Sequence, residues 1–183
     1  MRIFSLLLIA SVLASPRVFA QERHDERGEH REHQEGQEHP MSDDAHAAAM
    51  VVHQLFDAMR SKDTTAMRGL FHASARLQRT GRNQAGELIV GDTPIDRFIQ
   101  VIGGADGDLD EQIWDAEVRV DGDLATVWTK YAFFFNEQFS HCGMDAFQLA
   151  RLADGWKIIQ ISDTQRRGEE NCEMPPDHGE RHQ

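Results

Sequence analysis

Basic residues are scarce in this chain. Nineteen lysines and arginines stand against 31 aspartates and glutamates, a formal net charge of −12. No cationic face of the kind that a phosphate backbone requires can be built from that balance, so nucleic acid is excluded as a partner. A polybasic patch for anionic lipid is equally absent. The apolar run at residues 3–14 is too short to span a bilayer comfortably, which excludes a stable membrane anchor there. Cysteine occurs only twice, too seldom to close a thiolate zinc site without other ligands at fixed spacing. Residues 21–39, QERHDERGEHREHQEGQEH, contain no aliphatic or aromatic side chain. Such a segment cannot bury enough area to offset its ordering entropy, and disorder is expected over residues 21–41.

What is present begins with a leader. Residues 1–20 combine a basic Arg2, the apolar run, Pro16, and small residues ending at Val18 and Ala20. This is the pattern of a secretory signal cleaved after Ala20, which implies a periplasmic or secreted protein. Cleavage removes two arginines and no acid, leaving 17 basic against 31 acidic residues, a net of −14. The charge reads as solubility. The histidines of the acidic tail, His24, His30, His33 and His39, with His178 and His182 near the other end, invite a metal. Their spacings of 6, 3 and 6 form no closed set, so weak chelation by a solvated tail is expected, with no dedicated metal site or cofactor.

The remaining length suits one domain, expected over residues 42–168, with a C-terminal tail at 169–183 that carries Cys172. Ser42 can cap a first helix with Asp43 and Asp44 in its first turn. Val51, Val52, Leu55, Phe56 and Met59 give that helix an apolar stripe, with His53 beside it as a flanking polar residue. Asp63 caps a second, short helix over residues 64–71. Residues 75–80 alternate as a strand, and 88–90 form a short one. Thr93 as cap, Pro94 in the first turn and Asp96 open a third helix, which Gly103 and Gly104 stop. From there the chain turns to strand patterns at 114–120, 124–135, 142–152 and 156–162, with a hairpin turn expected at Asp154 and Gly155. The expected fold class is α+β, three N-terminal helices packed on a strongly curved antiparallel sheet.

This order of elements, with DTTAMRGLFHASARL after the first helix, VDGDLATVWTKY entering the fourth segment and HCGMDAFQLARLADGWKI near the end, resembles the nuclear transport factor 2-like superfamily. That cone-shaped group includes ketosteroid isomerases, scytalone dehydratase, and the SnoaL-like polyketide cyclases and lumazine-binding-like proteins. The resemblance covers residues 42–164 and implies a conical cavity that takes a small, largely apolar ligand. Its lining would come from Leu55, Phe56, Phe98, Trp114, Trp128, Tyr131 and Phe147, each of which also reads as core filling. The isomerases require a tyrosine, an aspartate base and a second carboxyl donor. The matching positions are Leu55, Arg79 and about Phe147, none of which can do that chemistry. Lyase, isomerase or cyclase chemistry would have to use Tyr131, His141, Asp145 or Asp163 instead. The resemblance also allows a dimeric association module, since homodimers are common in the group. Fold alone does not choose among these functions.

The stretch FSHCGMDAF, residues 139–147, places His141, Cys142 and Asp145 together. In an exported chain with two cysteines, a Cys142–Cys172 disulfide is the first expectation. A hairpin turning at residues 154–155 sets Cys142 opposite about residue 167, within a modest bend of Cys172. The bridge would be worth about 3 kcal/mol in the chain-entropy account. A reactive thiol, a metal ligand or free thiols remain the alternatives.

Overall fold

The structure, a computed structural model, describes residues 41–82 and 85–176. The leader, the acidic tail with His24, His30, His33 and His39, and His178 and His182 lie outside the described residues.

Ser42 Oγ accepts a hydrogen bond from Ala45 N at 3.2 Å and opens α1, Asp43–Ser61, whose first turn carries Asp43 and Asp44. Val51, Val52, Leu55, Phe56 and Met59 are buried along one face. Lys62, in the left-handed region at φ 55°, returns its N–H to Ala58 O and Met59 O and ends the helix. In α2, Thr64–Leu70, Asp63 Oδ1 accepts from Thr65 N and Ala66 N. The third helix differs from expectation. In α3, Ile95–Gly103, Pro94 occupies the N-cap and no side chain caps the helix. Thr93 is instead the last residue of β2, Leu88–Thr93, and pairs with Leu77, so the sheet takes the backbone that the cap would have used.

The helices pack on a curved, unclosed sheet of six strands in the order β2-β1-β6-β5-β4-β3. The others are β1, Phe71–Arg82, β3, Leu109–Asp121, β4, Leu124–Phe135, β5, Gln138–Leu152, and β6, Gly155–Thr164. Only β1 and β6 run parallel, and every other pairing is antiparallel. Several strands are longer than the alternation suggested because the turns are shorter. Asn136 and Glu137, at φ 50° and 63°, reverse the chain in two residues where residues 136–141 were expected to lie between strands.

The last hairpin also departs from the expected register. Its loop is Ala153 and Asp154, with Gly155 at φ 108° already in β6, so Leu152 opposes Gly155. Moving the turn one residue earlier shifts every cross-strand partner by two residues, which keeps each side chain on its face. An irregularity between Gln148 and Leu149 adds one residue on β6, and Asp145 opposes Asp163 rather than Ser162.

The main core lies between the helices and the sheet, and includes Leu55, Phe56, Met67, Phe147, Leu149 and Ile158. A second cluster forms on the other face around Ala132, Phe134 and Cys142, with Trp114, Phe139, Cys172 and Met174 packed on it. The Cys142–Cys172 disulfide is present, with Cα atoms 6.0 Å apart. Cys142 and Arg166 exchange backbone hydrogen bonds at 3.0 and 2.8 Å, continuing the β5–β6 ladder toward the bridge. Among the described residues, no helix is long and apolar enough to cross a membrane.

Candidate functional site

Strand alternation sends residues of one parity to one face, and on the inner face this alternation builds a row of polar groups. Arg79 on β1 pairs in register with Asp163 on β6, Asp163 with Asp145 on β5, and Asp145 with Thr129 on β4. Two aspartates directly opposite one another repel when both are charged. Arg79 offsets that on one side, its Nε donating to Asp163 Oδ2 at 2.6 Å. On the other side Asp145 is hydrogen-bonded to Glu111 of β3. Two carboxyl groups can share a hydrogen bond only if one holds a proton.

The electrostatics follow from burial. Asp145 and Asp163 are 4% and 6% exposed. Burial, reinforced by Glu111 and Asp163, holds the Asp145 carboxyl well above the usual range. Burial and the Asp163 charge push Glu111 up to about 8, with Arg79 and the hydrogen bond to Asp145 opposing the shift. Asp163 is also raised by burial, with Arg79 opposing the shift. At neutral pH the Glu111–Asp145 pair therefore keeps one proton. Asp163 Oδ1 is buried and has no hydrogen-bond partner, an arrangement that is destabilising unless something completes it.

These groups form the polar end of a cavity of about 470 Å³. Its apolar wall is Leu55, Phe56 and Met59 of α1, Phe98 and Val101 of α3, and Leu77, Phe147 and Ile161 of the sheet. Gly81, Arg82, Ile89, Gly91 and Thr93 of β1 and β2 line a further side, and Gln165 joins Arg79, Glu111, Asp145 and Asp163. The volume is in the ordinary range for small-molecule sites. Among the described residues, no cluster of histidine, cysteine, aspartate and glutamate is arranged to hold a metal ion.

The structure thus brings Leu55, Phe56, Phe98, Phe147, Asp145 and Asp163 together around one cavity. It places the other expected residues elsewhere. Trp128 is 49% exposed on the outer face, and Trp114 packs with the outer cluster around Cys142. The reason is parity: Val127, Thr129 and Tyr131 are buried on β4, and Trp128 lies between two of them. Tyr131 is buried but does not line the cavity, and its hydroxyl donates to Thr164 O at 2.8 Å. Opposite it, Gly143 is required, because a Cβ there would collide with Thr164 O and the Tyr131 ring. His141 stacks on Phe133 at 5.0 Å and also lies outside the cavity lining. Burial, aided by Arg79 and Arg167, lowers it to about 4, so it is neutral at pH 7.

Two members of the site were not anticipated in these roles. Glu111 shares parity with Leu109 and Ile113, a signal present in the sequence once β3 is extended to its observed start. Arg79 was read only as a residue unable to act as a base, whereas it anchors Asp163.

A three-helix layer over a curved six-stranded sheet, enclosing a cavity with a polar end, defines the nuclear transport factor 2-like class. The model of the family described as "Putative lumazine-binding" matches residues 43–162, and the chain belongs to that family. Solved structures agree on the fold. An NTF2-like protein of unknown function from Shewanella baltica is 16% identical, covering 67% of this chain and 94% of its own, at a TM-score of 0.51. An NTF2-like protein with a cystatin-like fold from Novosphingobium aromaticivorans is also 16% identical, covering 68% and 83%, at 0.56. A protein of unknown function with a cystatin-like fold from Nostoc punctiforme is 11% identical, covering 67% and 90%, at 0.53. Identities this low carry the fold and no activity. No curated protein matches the chain.

Proposed function

We propose that the protein is an exported binding protein whose cavity takes a small molecule with a largely apolar body and a polar head. The observation that carries this reading is the division of the cavity into an apolar wall and a polar end that contains an uncompleted buried acceptor, Asp163 Oδ1. Apolar surface supplies affinity and a few convergent polar groups set orientation. The family description supports a small-molecule ligand. Export is supported by the leader pattern of residues 1–20 and by the disulfide, a bond that persists in oxidising compartments. Native mass spectrometry of protein isolated from its own compartment tests the reading. A retained small molecule is expected, and its occupancy should fall in the Val101→Trp variant, which adds bulk at the α3 wall of the cavity. An empty cavity in the native protein overturns it.

A second reading has one specific observation behind it. The proton held between Glu111 and Asp145 is available to a bound molecule at neutral pH, as lyase or isomerase chemistry requires. Asp145→Asn should then abolish turnover while leaving the fold intact. His141→Ala should leave turnover nearly unchanged, because His141 does not line the cavity.

A further inference from the structure

Three carboxyl groups and one guanidinium meet at the inner end of the cavity, and the buried side-chain atom left without a partner there, Asp163 Oδ1, is an acceptor. Asp163 is 6% exposed; its Oδ2 accepts from Arg79 Nε at 2.6 Å, while Oδ1 has no donor. Asp145, its direct cross-strand neighbour, is 4% exposed and shares a hydrogen bond with Glu111. Arg79 donates to the protein through two of its nitrogens, Nε to Asp163 Oδ2 and, at 3.4 Å, Nη1 to Gln165 Oε1. An anionic head would meet a surplus of carboxyl groups. No metal-binding arrangement exists among the described residues.

The geometry points to a ligand whose head is a compact nitrogen cation, an amidinium or protonated amine with at least two N–H donors, seated on Asp163 Oδ1 and the neighbouring Asp145. This deepens the binding reading given above and rests on it. Directly opposed strand residues have Cβ atoms about 5 Å apart, so one forked donor group reaches both carboxyls. A charge-assisted pair in a site screened from water is about twice as strong as a neutral one. The cation also offsets the repulsion between the two aspartates, which Arg79 relieves only from the β1 side.

Three probes with one ring system and different heads test this by calorimetric titration at pH 7.5: naphthalene-2-carboxamidine, the corresponding amide and the corresponding carboxylate. The amidine is expected to bind at least about tenfold more tightly than the amide, with the carboxylate weakest. Asp163→Asn should remove most of the amidine's advantage and leave the amide within about twofold. Because Asp163 also anchors Arg79, Glu111→Gln, at a half-buried residue, serves as the second variant and should narrow the same advantage about threefold. Equal binding of amidine and amide, or an advantage unchanged in both variants, overturns the head-group assignment alone. Failure of all three probes and of 2-naphthol to bind overturns the cavity reading together with it.

Discussion

The two faces of β5 are finished in opposite ways. On the outer face Cys142 is capped by the chain's own C-terminal segment, which is fastened by the disulfide to Cys172 and packed with Met174, Phe139 and Trp114. On the inner face, three and five residues along, Asp145 and Phe147 border a cavity that the chain leaves open. The outer patch is closed covalently. The inner one borders a cavity and keeps a buried acceptor without a partner, Asp163 Oδ1 of the neighbouring β6. The unpartnered group of the outer one is a donor, Trp114 Nε1, within the capped cluster. Because one strand borders both, the contrast separates a face fastened by the chain's own tail from one that borders a cavity.

The largest test strikes the inner wall. Phe147 is 1% exposed and meets Phe56 edge-on at 6.0 Å, so Phe147→Ala should cost about 3–5 kcal/mol by denaturant unfolding. Next comes the outer closure. Cys172→Ser, or reduction of the native protein, should cost about 3 kcal/mol. It should leave binding of an apolar probe unchanged, and loss of that binding would mean that the two faces are not independent. Arg79→Met is smaller: the pair with Asp163 is half-exposed at the arginine, and a loss of about 1 kcal/mol is expected. Its sharper readout is the Asp163 carboxyl, which should titrate higher by NMR once the guanidinium is gone.

The smallest effect is a pH slope. Glu111 is raised from its ordinary value to about 8 by burial and by Asp163, against Arg79, with Asp145 its hydrogen-bond partner. A carboxyl that is raised in the folded state binds more protons there than in the unfolded chain. Its contribution is complete below about 4.5 and is lost as pH rises through about 8. Glu111→Gln should therefore flatten the decline in thermal stability between pH 5 and pH 8.5, gaining a few degrees relative to wild type at the upper end. A parallel pair of stability curves would remove the shared proton from the account.

Much of the fold was legible because its signals are local. Ser42 and Asp63 cap where their sequence context indicated, and the stripe of Val52, Leu55, Phe56 and Met59 faces the core. The disulfide followed from the expected compartment and hairpin arithmetic, although the hairpin itself turns one residue earlier. Within the site, Asp145 and Asp163 stood out as polar residues in or beside apolar strands. Glu111 did not, because the strand had been started at Trp114, five residues beyond its true beginning at Leu109. Trp128 was misplaced although β4 alternates regularly, with Val127 and Thr129 buried on either side of it, and Trp114 for a separate reason. An irregularity between Trp114 and Glu117, with Asp115 at φ 53°, breaks the parity count along β3, and no feature of the residue pattern announces it. The Arg79–Asp163 pair depends on strands 84 residues apart in sequence, which alternation cannot register.

The parallel seam between β1 and β6 governs when the protein becomes competent. The meander from β3 to β6 is joined by two-residue turns and can zip from neighbour to neighbour, but β1 must wait for the final strand to arrive before it finds its place. Arg79 and Asp163 meet only in that closing event. An unfinished chain therefore holds the guanidinium and the carboxyl of the cavity apart, and the polar end is assembled once, at the completion of the sheet.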